Sequence, residues 1–229
     1  GFTTGSMTNV ENVNITSKTA TTVNYDASGS TGVSKYVIDS TTGSVTLSQL
    51  DALANLEVTG PQADSTFKAA YKATSTVATG TQTDVQNLKV TNQGSINTAA
   101  ANVASNAKFM TVDIDKVETL AITTAGTANS LDLAASADVK TITVTGEGQT
   151  EIKAVGTATT SFDGSAATGN VIADLKAAAA GALTSLKTGA GNDKVTVSLD
   201  DLTSSATVAG GAGTDTLVVD PFTTAKQLN

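Results

Sequence analysis

The chain has 229 residues and a net charge of −8; aromatic residues make up only 3%, and all 13 basic residues are lysines. With no His and no Cys, it has no imidazole base, no thiolate nucleophile and no ordinary structural zinc site, so a bound metal is expected to be a hard cation held by oxygen. An acidic chain without a basic patch or an aromatic stacking platform does not suit nucleic acid, and no run approaches the roughly 18 apolar residues of a membrane span.

The length fits one large all-β domain or two small ones, and missing cysteine leaves the compartment open. The opening Gly1-Phe2-Thr3-Thr4-Gly5 reads as mid-domain, without a signal peptide. The expectation is a fragment of a longer chain, with 1–229 as one elongated solenoid-like domain.

In chain order, one pattern recurs: apolar, two residues, apolar, one residue, apolar, then Thr. It appears as Val10-Val13-Ile15-Thr16, Leu53-Leu56-Val58-Thr59, Val85-Leu88-Val90-Thr91, Val117-Leu120-Ile122-Thr123 and Val139-Ile142-Val144-Thr145, then weakened as Leu183-Leu186-Thr188. From Leu53 the steps are 32, 32, 22 and 44 (85 − 53, 117 − 85, 139 − 117, 183 − 139). Alternating apolar positions before a turn read as short half-buried strands, and their recurrence suggests rungs of an irregular parallel β-solenoid. Tyr25-Asp26-Ala27-Ser28-Gly29-Ser30-Thr31-Gly32 resembles Phe162-Asp163-Gly164-Ser165-Ala166-Ala167-Thr168-Gly169, a corner whose Asp bonds local amides. Short flanking helices are expected where Ser48 caps a segment leading to Leu56, over Asp64 to Thr74, over Thr98 to Lys108 and over Asn170 to Leu183. Asp113 and Asp115 fall on one strand face.

The sharpest chemical signal lies within 183–220. Gly210-Gly211-Ala212-Gly213-Thr214-Asp215-Thr216-Leu217-Val218 fits the nonapeptide G-G-x-G-x-D-x-U-x. Thr188-Gly189-Ala190-Gly191-Asn192-Asp193-Lys194-Val195-Thr196 fits it with Thr for the first Gly. Glycines allow the loop to turn its carbonyls inward, and the Asp adds a carboxylate. These are the oxygens of which calcium takes six to eight. One loop cannot fill that shell, whereas two stacked loops can. Asp193 and Asp215 are 22 residues apart (215 − 193), a step also seen between rungs, so adjacent rungs sharing a calcium ion are expected. Asp200, Asp201 and Asp220 are weaker candidates, and Gly146-Glu147-Gly148-Gln149-Thr150 reads as a metal-free relative.

The runs GAGND at 189–193, GGAGTD at 210–215, DGSAATG at 163–169 and the strand VKTITVTG resemble the calcium-dependent S-layer proteins of Gram-negative bacteria, which belong with the repeats-in-toxin proteins. The resemblance covers most of the chain in style and its last forty or so residues by motif. It implies a β-solenoid-like fold, type I secretion, calcium-triggered folding outside the cell and a two-dimensional lattice of identical subunits. A lipopolysaccharide anchor would lie outside this fragment. Carried over by position, the metal residues are Gly189, Gly191, Asn192 and Asp193 with Gly211, Gly213, Thr214 and Asp215. The chain departs from the family in having two motifs rather than a long tandem array, with rungs longer than nine residues.

The expected function is therefore a structural surface-layer segment, secreted to the cell surface and not an enzyme. The alternative is a segment of a large calcium-binding adhesin or biofilm protein exported by the same route. A polysaccharide-active β-helix enzyme ranks third, because a chain without Arg or His and with three Tyr lacks the usual partners for clustered acids.

Overall fold

The computed structural model describes residues 2–3, 7–17, 20–40, 43–60, 64–75, 77, 83–95, 108–176, 178 and 183–220. Successive strands alternate between two sheets, one of ten strands and one of nine, and a two-stranded pair lies near the start of the chain. Every strand pairing is parallel, as between Thr119–Ala125 and Thr141–Gly146 or between Lys194–Ser198 and Thr216–Asp220. The fold is a β-solenoid in which each coil supplies one strand to each sheet.

The period-2 pattern explains the two faces of each strand. In the nine-stranded sheet, Tyr36, Leu56, Leu88, Ile122 and Val144 follow one another in register, all buried between the sheets. In the ten-stranded sheet, Val45, Phe67 and Val112 form a matching buried row. The outward positions carry ion pairs instead. Glu57 sits between Lys35 at 2.5 Å and Lys89 at 2.9 Å, and the two lysines hold its carboxyl below the usual carboxylate range, Lys35 foremost. Asp132 bonds Lys153 at 2.9 Å. Such exposed pairs contribute little each, about 0–1 kcal/mol, so the apolar rows carry the stability.

No helix occurs among the described residues, which corrects the expected flanking helices. Ser48 and Leu50 belong to the strand Val45–Leu50, where Gln49 adopts φ +58° at a register shift, and Leu56 to the strand Asn55–Thr59. Within 64–74 lies the strand Thr66–Tyr71, with Phe67, Ala69 and Tyr71 facing in and Thr66, Lys68 and Ala70 facing out. The segment after Asn170 begins as the strand Val171–Asp174. Neighbouring rungs satisfy these backbones on both sides, and that tertiary pairing overrides the weak preference of Ala, Lys and Gln for helix. Residues 98–107, 177 and 179–182 of the expected helices lie outside the described residues.

The register also departs from the simple motif alignment. Leu56 pairs with Leu88, a step of 32 (88 − 56), but Leu88 pairs with Ile122, a step of 34 (122 − 88). The later step of 44 resolves into Ile142 to Phe162 (20) and Phe162 to Leu186 (24). Shifts by two residues keep the same face inward, so the apolar row survives them. Alternation with Leu88 and Val90 leaves Val85 exposed, while Gln86 is buried opposite Leu120 and bonds Tyr71 Oη and the Ala54 carbonyl.

The two Asp-containing corners fall in different sheets, Tyr25 in Val23–Asp26 of the ten-stranded sheet and Phe162 in Ser161–Ala167 of the nine-stranded one. Each Asp bonds a local amide. Asp26 accepts from Ser28 N–H at 2.9 Å and Asp163 from the Ser165 hydroxyl at 2.5 Å and N–H at 3.0 Å; the Ser28 amide and, for Asp163, the Ser165 hydroxyl foremost hold the carboxyls below their ordinary value. Asp113 and Asp115 both lie against Lys68, at 2.6 and 3.6 Å. No helix among the described residues is long and apolar enough to cross a membrane.

Candidate metal centre

The two nonapeptide loops lie on adjacent rungs, at the corner where the chain passes from the nine-stranded to the ten-stranded sheet. The first joins Leu183–Lys187 to Lys194–Ser198, and the second joins Leu202–Ala209 to Thr216–Asp220. They stack through a parallel bridge between Ala190 and Ala212. The Gly189 carbonyl accepts from Ala212 N–H at 2.8 Å, and the Ala212 carbonyl accepts from Gly191 N–H at 3.0 Å. A Cβ on Gly211 or Gly213 would be driven into the Gly189 or Gly191 carbonyl, so glycine is what lets the loops approach this closely.

Asn and Asp side chains form ladders along the same corner. Asn170 Oδ1 accepts from Asn192 N–H and Asn192 Oδ1 from Thr214 N–H, both at 2.9 Å. One position further on, Asp193 Oδ1 accepts from Val171 N–H at 2.7 Å and Asp215 Oδ1 from Asp193 N–H at 3.1 Å. Of the eight residues named from the sequence, the glycines, Asn192 and Thr214 thus join rung to rung. Asp193 and Asp215, together with Thr188, Gly210, Leu186 and Val195, also line a cavity of about 170 Å³ that opens to solvent beside the exposed Val208 and Leu217.

The strand ends explain why space opens there. Asp163 pairs with Lys187, and Lys187 with Ala209. The residues that follow are Gly164, Thr188 and Gly210, where earlier rungs carry residues such as Val144. A side chain at Gly210 would meet Asp215 Oδ2 at 2.5 Å, so the carboxylate occupies the volume a Cβ would need. Asp193 is 3% exposed, and its Oδ2 is buried with no hydrogen-bond partner among the described residues. A desolvated carboxylate oxygen without a donor is costly, and a cation is its direct chemical complement. The oxygens of Asp193, Asp215, Thr188 and Gly210 are all hard donors, so the site fits calcium. Among the described residues no cluster of three or more acidic, His or Cys side chains is placed to hold a metal. Two carboxylates would therefore share the shell with hydroxyl, carbonyl and water oxygens.

Thr188, which the motif glycines do not include, also lines this cavity: it replaces the first motif glycine, and it follows Leu186 by two on the inward face. Gly146 to Thr150 occupies the same corner nearer the start of the chain, where Gly146 O accepts from Thr168 N–H at 2.8 Å. Asp201 is buried at the opposite corner. Its Oδ2 accepts from Ser198 N–H at 3.1 Å, and Asp220 bonds Lys176 at 2.8 Å.

Burial raises the Asp201 carboxyl above its ordinary value, against the partly compensating Ser198 amide. The folded state therefore holds this proton more tightly than the unfolded chain, and the ionised side chain costs stability above the folded pKa. Asp201→Asn, which keeps an acceptor for Ser198 N–H, is expected to raise the melting temperature at pH 7. Calorimetry should show the difference narrowing as pH falls toward the carboxylate range; a variant that melts lower at pH 7 would contradict this.

No protein-family model matches the chain, and comparisons with the curated proteins and with the solved structures return no match.

Proposed function

We propose that this chain is a structural segment of a bacterial surface layer, secreted and stabilised by calcium between its last two described rungs. The observation that carries the reading is the stacked pair of glycine-bordered loops, with the orphaned Asp193 Oδ2 beside Asp215. A solenoid supplies folded mass from a simple repeat, as a self-assembling lattice of identical subunits requires. Calcium bound only by the folded state adds stability where the free ion is plentiful, which ties folding to the outside of the cell. The anchoring partner, lipopolysaccharide under this reading, is assigned to no residue of this chain.

Melting in millimolar calcium and in chelator tests the metal. A ligand at about 100 times its Kd adds about 2.7 kcal/mol, equivalent to a shift on the order of 5–10 °C for a domain of this size. The Asp193→Ala, Asp215→Ala double variant is expected to lose that shift. An unmoved transition in the unaltered protein defeats the calcium reading. Electron microscopy of the full-length protein with calcium then tests the lattice, and dispersed particles would favour the adhesin reading.

A further inference from the structure

We infer that Thr188 is a metal-binding residue in its own right, its hydroxyl oxygen completing the oxygen set of Asp193 and Asp215. The inference rests on the calcium reading above and extends it to a residue that breaks the nonapeptide pattern. Thr188 is 3% exposed and lines the same cavity as both carboxylates. Its Oγ1 donates to the Gly210 carbonyl at 2.6 Å. A hydroxyl has one proton and two lone pairs, and a carbonyl can only accept. The contact with Gly210 therefore takes up the hydroxyl's one proton and leaves its lone pairs to serve a cation. A neutral hydroxyl ligates well only when its proton points elsewhere, and here that orientation exists before the ion arrives.

The geometry also explains how a site with two carboxylates gains a further donor. At the first motif position a glycine offers no side-chain oxygen, whereas Thr188 places one inside the solenoid, held by the strand Leu183–Lys187 that precedes it. The cation is thereby assigned to the cavity at the last two described rungs, where Thr188 and Asp193 are buried and Asp215 is exposed.

The test compares calcium affinity by isothermal titration with the melting temperature of the metal-free protein. Thr188→Val keeps the shape and removes the hydroxyl; it is expected to weaken calcium binding about tenfold or more. Thr188→Ser, which keeps the oxygen, is expected to bind within about threefold of the unaltered protein. Thr188→Ala repeats the hydroxyl deletion should valine prevent folding. If the hydroxyl-free variants melt lower without metal yet bind calcium with unchanged affinity, Thr188 merely satisfies Gly210 and the inference is overturned. If the unaltered protein binds no calcium, the underlying metal reading fails, and Thr188 loses its role with it. Binding by the unaltered protein that vanishes in Asp193→Ala but not in Thr188→Val sinks only the inference about Thr188.

Discussion

Phe162→Ala is expected to lower the stability of the protein by about 3–5 kcal/mol, the range for emptying a buried aromatic site. Phe162 is fully buried and stands in register between Ile142 and Leu186, on the rungs before and after it. Its ring also lies over Gly164, where an added Cβ would come within 3.4 Å of Cε1. Removing it therefore opens a cavity against two rung interfaces at once. In a solenoid each rung is held mainly by its neighbours, so few other contacts can close the gap. Urea unfolding followed by circular dichroism should show a markedly lower midpoint. Val85→Ala is the control: Val85 is 44% exposed and should change stability by no more than about 0.5 kcal/mol. Equal losses at the two positions would refute the register in which Gln86, rather than Val85, lies opposite Leu120.

Gly146→Ala should cost about 3 kcal/mol or more, from two sources that add. Gly146 adopts φ +104°, a conformation that costs an ordinary residue about 1–2 kcal/mol. In addition, a Cβ there would be driven into the backbone carbonyl of Thr124, its partner one rung back. That carbonyl cannot easily retreat, because Thr124 is buried within a seven-residue strand paired on both sides. Overpacking of this kind costs about 1–3 kcal/mol. Gly32 isolates the conformational part: its φ is +80°, but nothing among the described residues lies within 4 Å of an added Cβ. Gly32→Ala should cost only about 1–2 kcal/mol, and thermal unfolding of the two variants separates steric from conformational loss. Comparable losses in both would mean that rung stacking is looser than the Thr124 to Gly146 pairing implies.

These variants show how much of the solenoid could be read before the rungs were seen stacked. Alternation in the strands around Leu56, Leu88, Ile122 and Val144 marked one face as buried, and those residues do form one inward row. Their spacing also announced recurrence, but not register. The slip from 32 to 34 between Leu88 and Ile122 leaves the pattern of faces unchanged, so alternation places Gln86 inside with Leu88 and Val90, and only the stacking shows that it lies opposite Leu120.

The helices failed for a related reason. Lys68 and Lys72, four residues apart among alanines, suit a helix locally, while Phe67, Ala69 and Tyr71 alternate as a strand. Two flanking parallel strands settle the conflict by pairing both edges of the backbone, a gain that local preference cannot register.

For the candidate site, the nonapeptide spacing by itself determined the loops and their stacking interval and singled out Asp193 and Asp215, because glycine and carboxylate chemistry are properties of single residues. Tertiary structure alone decided which residues line the cavity. The loop carbonyl of Gly189 is engaged between rungs, while Thr188, outside the loop glycines, faces inward. The direction of an oxygen depends on which neighbour takes its hydrogen bond, and that neighbour lies one full coil away along the chain.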